Sequence, residues 1–118
     1  QPTAHLRRYS MRLDGFASVR APHEGGELRT RLLTFKGRRL LLNFGTSAAG
    51  GIRIEIRDAS GNPLPGFALE DSLEIIGNEI ERAASWKGGE SVARLSGQRV
   101  RLRFVMKDAD LYALRFAE

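Results

Sequence analysis

The segment VRLRFVMKDADLYALRF, Val100 to Phe116, decides the fold. It holds two apolar-polar alternations, Arg99 to Met106 and Leu111 to Phe116, separated by Lys107-Asp108-Ala109-Asp110. Alternation with a period of two is the mark of a half-buried strand. Val100, Leu102 and Phe104 share one side, and Arg99, Arg101 and Arg103 the other. Aspartate is favoured in turns because its carboxylate accepts hydrogen bonds from nearby backbone N–H groups. The Asp108/Asp110 pair is therefore expected to be the connection between two strands, with metal ligation and catalysis as the competing readings.

Working outward, IRIEIRD (Ile52 to Asp58) repeats the pattern most cleanly, with Ile52, Ile54 and Ile56 against Arg53, Glu55 and Arg57. RLLLNF (Arg39 to Phe44) is more continuously apolar, as a central strand would be. Further strands are expected over Arg7 to Leu13, Phe16 to Ala21, Glu27 to Phe35 and Asn78 to Trp86. GTSAAGG (Gly45 to Gly51) is expected to be a flexible connection, and ASGNPLPG (Ala59 to Gly66) a loop with a tight turn. Single helical turns are expected near Glu70 to Leu73 and within Ser91 to Gly97. Many short strands with Gly and Pro between them imply an all-β, antiparallel two-sheet β-sandwich of jelly-roll-like form. Its core is expected to contain Phe16, Leu40, Leu42, Phe44, Ile52, Ile54, Ile56, Leu102, Phe104, Leu114 and Phe116.

The 118 residues suit a single domain, here residues 7–118, behind a linker or tail over 1–6. The opening QPTAHLRR, without Met, reads as a cut, and the chain as a piece of a larger protein. With 42% hydrophobic and 28% charged residues the composition is that of a soluble globular domain. No run of apolar residues reaches the length of a membrane span. Cysteine is absent, which excludes disulfides, thiolate catalysis and Cys-ligated metals.

The two imidazoles, His5 and His23, stand in the tail and in a Pro-Gly-Gly loop, without a nucleophile or ligand motif around them. GTSAAGG lacks the lysine and spacing of a phosphate loop. Carboxylate pairs such as Glu70/Asp71 or Glu79/Glu81 carry no signature of glycoside hydrolysis. What remains is binding chemistry. The net charge is +5, and only Lys36, Lys87 and Lys107 among the 19 cationic residues are lysine. Arginine is the better bidentate partner for carboxylate, sulfate or phosphate. Arg53, Arg57, Arg99, Arg101 and Arg103 are the anion-binding candidates, forming one patch if their two strands are neighbours. Trp86, Tyr9 and Tyr112 are candidates for stacking on sugar rings, against the competing reading that Trp86 fills the core. Single-stranded nucleic acid is disfavoured because the aromatics fall on the core phase rather than among the arginines. Asp58, Asp71, Asp108 and Asp110 are candidate oxygens for a structural calcium ion.

The strings RLDGF (Arg12 to Phe16), GGEL (Gly25 to Leu28), LLLNFGTSAAGGIRIEIRDASGNPLPGF (Leu40 to Phe67), LEDS (Leu69 to Ser72), WKGG (Trp86 to Gly89) and LSGQRVRLRFVMKDADLYALRF (Leu95 to Phe116) together resemble a known type of domain. It is the C-terminal β-sandwich accessory domain of large bacterial proteins built around a five-bladed propeller, of the glycoside hydrolase family 32 or sialidase kind. The resemblance runs from Arg7 onward. It implies a non-catalytic accessory module, extracellular or periplasmic, whose partners are a polysaccharide and the catalytic propeller of the parent chain. The alternatives are a purely structural domain packing on that propeller, and an independent glycoside hydrolase.

Overall fold

The computed structural model describes residues 10–11, 16–19 and 26–118, with side chains over 26–78 and 81–118. The expected tail over 1–6, Tyr9, His5, His23 and the Phe16 side chain lie outside the described residues. The strands are β1 (Ser10–Met11), β2 (Phe16–Val19), β3 (Gly26–Thr30), β4 (Arg39–Arg57), β5 (Asn78–Ala83) and β6 (Arg101–Ala117). Two 3₁₀ turns, Leu69–Asp71 and Ala93–Leu95, fall in the segments expected to hold single turns. Among the described residues no helix is long and apolar enough to cross a membrane.

All pairings are antiparallel, as expected for an all-β chain. Hydrogen bonding joins the strands into one sheet of order β2-β3-β6-β4-β5, with β1 also on β6. The sequence reading expects four separate strands where β4 and β6 are two continuous ones. GTSAAGG is no free connection, and Lys107–Asp110 is no hairpin turn; the two segments oppose each other inside one long β4–β6 ladder. Thr46 pairs with Ala109 and Gly51 with Lys107, so Ser47 to Gly50 face Asp108 alone.

That irregularity bends the sheet. Nineteen extended residues would span roughly 60 Å, yet the molecule's longest extent is 33 Å. β4 must therefore fold back within its own length, and a bulge is where a strand bends. Asp108 adopts φ 45°, a left-handed value that aspartate tolerates better than most residues. Gly50 leaves room for the crossing: a Cβ there would sit 2.3 Å from the Lys107 carbonyl oxygen and 2.6 Å from that of Asp108. The Asp108 side of the opening segment is thus punctuation, but of a bend rather than of a chain reversal.

Because of the bend, both halves of β4 feed one core. Leu40, Leu42 and Phe44 from the first half pair with Phe116, Leu114 and Leu111; Ile52, Ile54 and Ile56 from the second pair with Met106, Phe104 and Leu102. All twelve belong to one buried cluster, which also takes Leu28, Phe35, Phe67, Trp86 and Val92. Each such side chain contributes about 1.5–3 kcal/mol by leaving water. The sequence-derived core set is buried at every described position.

The chain after β4 returns along that strand's outer edge. Asp58 Oδ1 accepts from the amides of Ser60 (2.9 Å) and Asn62 (3.0 Å), and Gly61 takes the positive φ that the turn needs. Pro63 then bridges Arg57, Phe67 accepts from the Ile56 amide, and Ile75 bridges Ile52. The strand expected over Asn78 to Trp86 ends at Ala83, and Trp86 turns inward.

Candidate functional site

The second half of β4 lies beside the first half of β6, with β3 on β6's far side. Residues directly opposite in an antiparallel pair share a face. Arg57 faces Arg101, Glu55 faces Arg103, Arg53 faces Val105, and on the other flank Arg29 also faces Arg103. Leu102, Phe104, Ile54 and Ile56 point the opposite way and are fully buried. The register therefore gathers Arg29, Arg53, Arg57, Arg101 and Arg103 with Glu27 and Glu55 on one outward face. Five arginines against two glutamates leave it three positive charges in surplus.

The charges are arranged in two ways. Glu55 is only 5% exposed and takes Arg57 Nε at 2.6 Å and Arg103 Nη1 at 3.5 Å. Glu27 takes Arg103 and Arg29. The hydrogen bond to Glu27 first, and then the charges of Glu27 and Glu55, hold the Arg103 pKa above its ordinary value against the opposing effect of burial. These five residues are ion-paired among themselves, with one positive charge in surplus. Beside them, Arg53 and Arg99 are exposed and Arg101 is half-buried. Among the described residues no carboxylate lies within ion-pair distance of these three. Arg101 Nε is shielded from water and lacks a hydrogen-bond acceptor. It stands opposite another arginine, a juxtaposition that costs stability.

Of the anion candidates, then, Arg53, Arg57, Arg101 and Arg103 come together, and Arg99 continues their side of β6 just before the strand starts. The sequence reading missed Glu27 and Glu55. Their alternation with arginine was visible in both strands, but the pairing of those strands was not.

Trp86 is overturned as a sugar platform. It is 1% exposed, its indole N–H donates to the Ile54 carbonyl at 2.9 Å, and Phe67 meets it edge-on with centroids 5.1 Å apart. Arg94 covers the other member of that pair, 4.9 Å from the Phe67 ring centre. Tyr112 is 38% exposed on the other half of the sheet, as the extra residue of a bulge between Leu111 and Ala113.

The four candidate calcium ligands do not converge. Asp58 is spent on its own turn, seven residues beyond Gly51 along an unbroken strand and so roughly 20 Å from Asp108. Asp71 belongs to the 3₁₀ turn, and its carbonyl accepts from the Lys87 amide. Asp108 and Asp110 share one strand. Among the described residues no group of three or more His, Cys, Asp or Glu side chains is placed to hold a metal ion.

Comparison with protein-family models, with curated proteins and with solved structures finds no match to this chain.

Proposed function

We propose that the chain is a non-catalytic carbohydrate-binding module that holds an acidic polysaccharide on its arginine face, as an accessory to a propeller glycoside hydrolase exported from a bacterial cell. The bent sheet would act as a jelly-roll-like sandwich, one layer carrying that face. One observation carries the reading: β4 and β6 are neighbours, so candidates from two distant segments form one patch with a cationic surplus. Arginine's planar fork binds carboxylate or sulfate bidentately. The ion pairs around Glu55 tie β3, β4 and β6 together on this face, leaving Arg53, Arg99 and Arg101 to take the ligand. The face carries no aromatic side chain among the described residues, which argues against single-stranded nucleic acid, whose bases need stacking partners.

Retention on sulfated dextran and on polygalacturonate, compared with unmodified dextran at low and high salt, tests this. Binding to either charged polymer that falls steeply with salt supports it, because screening acts on exposed charges. Absence of retention on both, with the fold intact, sinks it. The second reading, a structural domain packing on the propeller, draws on Leu73 and Ile76, which are 48% and 43% exposed. It requires no affinity for any glycan.

A further inference from the structure

We infer that Tyr112, Gly45, Asn78 and Asp110 form a subsite for a single neutral sugar ring, on the half of the sheet that does not carry the arginine face. Gly45 pairs with Asp110 on β6 and with Asn78 on β5, so the three form a row across three adjacent strands. The direction in which Gly45 would carry a side chain points at 2.9 Å to Asn78 Oδ1 and at 3.7 Å to the Tyr112 hydroxyl. The tyrosine hydroxyl therefore reaches the glycine from β6, and the amide reaches it from β5. Asp110 shares the face by register and is exposed between the buried Ala109 and Leu111.

The chemistry is that of a hydroxyl-rich, partly apolar ligand. An exposed tyrosine ring can offer a face to the C–H face of a sugar. A carboxylate accepts from two hydroxyls at once, and an amide both donates and accepts. Among the described residues the Tyr112 hydroxyl, the Asn78 amide and the Asp110 carboxylate make no hydrogen bond or ion pair. Covering a bare glycine would account for the tyrosine and the amide; it would not account for an exposed carboxylate beside them in register. The lack of a Cβ at Gly45 lets the Asn78 amide lie against the backbone, 2.9 Å from where that carbon would sit. The bulge that makes Tyr112 an extra residue is what aims it there, since bulges redirect side chains. The nearest charged pair, Arg115 with Glu81, is closed on itself in a two-bond fork.

This site is independent of the arginine face, and salt separates the two. The probe is an array of neutral gluco-, manno-, galacto- and xylo-configured oligosaccharides, read in about 0.5 M sodium chloride, where the cationic face is screened. The wild-type chain is expected to bind at least one of them. Tyr112→Ala should weaken that binding about tenfold, the scale of one lost aromatic contact, and Tyr112→Trp should keep it. Gly45→Ala puts a methyl group against a movable amide, and should weaken binding with the melting temperature unchanged. Asp110→Ala, at an exposed position, gives the same readout should Tyr112→Ala fail to fold. Absence of binding to every probe overturns the inference. So does binding that salt abolishes, or that survives both Gly45→Ala and Asp110→Ala.

Discussion

The indole N–H of Trp86 caps the carbonyl of Ile54, 2.9 Å away, while the Ile54 amide donates to the Ser72 hydroxyl. Ile54 pairs with β6 on one side, and on the other side its backbone is satisfied by two side chains in place of a strand. A buried carbonyl left without a donor costs about 1–3 kcal/mol, so the tryptophan is held in the core by its polar atom as well as its area. Trp86→Phe should lose about that amount, and Trp86→Ala about 3–5 kcal/mol. Urea unfolding gives both values, and Trp86 emission should resist acrylamide in the native state. A solvent-quenched indole would contradict the burial.

Gly50→Ala tests the bend. The new methyl group would overlap two carbonyl oxygens of rigid backbone, so a loss of about 1–3 kcal/mol is expected, as for overpacked sites. Gly88→Ala is the control, because nothing lies within 4 Å of its added carbon. Thermal unfolding of the two variants should separate them; equal melting temperatures would mean that β4 and β6 do not cross closely at Gly50.

Glu55→Gln should act with opposite signs on stability and on binding. The amide keeps the shape but removes the charge shared by Arg57 and Arg103. Stability should fall by about 1.5–3 kcal/mol, as for hydrogen bonds to charged groups. Two guanidinium groups are then less compensated, and retention on sulfated dextran at low salt should increase. Reduced retention in a folded variant would show that Glu55 orders the face more than it competes with the ligand.

Arg53→Ala and Arg101→Ala should weaken retention on the charged polymer while leaving neutral-sugar binding untouched. Arg53 is exposed, so its removal should change stability by no more than about 0.5 kcal/mol. Arg101→Ala removes an unsatisfied buried N–H and one member of a like-charged pair, so it should be neutral or stabilising. A loss of several degrees in its melting temperature would contradict this account of Arg101.

Chelation should leave the unfolding curve where it is. Asp58, Asp71, Asp108 and Asp110 do not gather into one group, and a resident ion would raise stability by mass action. A downward shift of melting temperature in EDTA, reversed by calcium, would return the metal to consideration.

The strand phases were legible in the sequence alone. Ile52, Ile54 and Ile56 against Arg53, Glu55 and Arg57, and Leu102 and Phe104 against Arg101 and Arg103, reach opposite faces because a strand's side chains must alternate. The all-β class and the described core positions follow from that local rule. What the rule cannot carry is pairing. Whether Gly45 to Gly51 and Lys107 to Asp110 are turns, or bulges facing each other, depends on residues about sixty positions apart in the chain. The same long-range register decided that Arg57 faces Arg101, that Glu55 is buried between two guanidinium groups, and that Gly45 meets Asn78 and Tyr112. Trp86 followed the same logic: its size suited a platform or a core, and the Ile54 carbonyl, thirty-two residues earlier, chose the core.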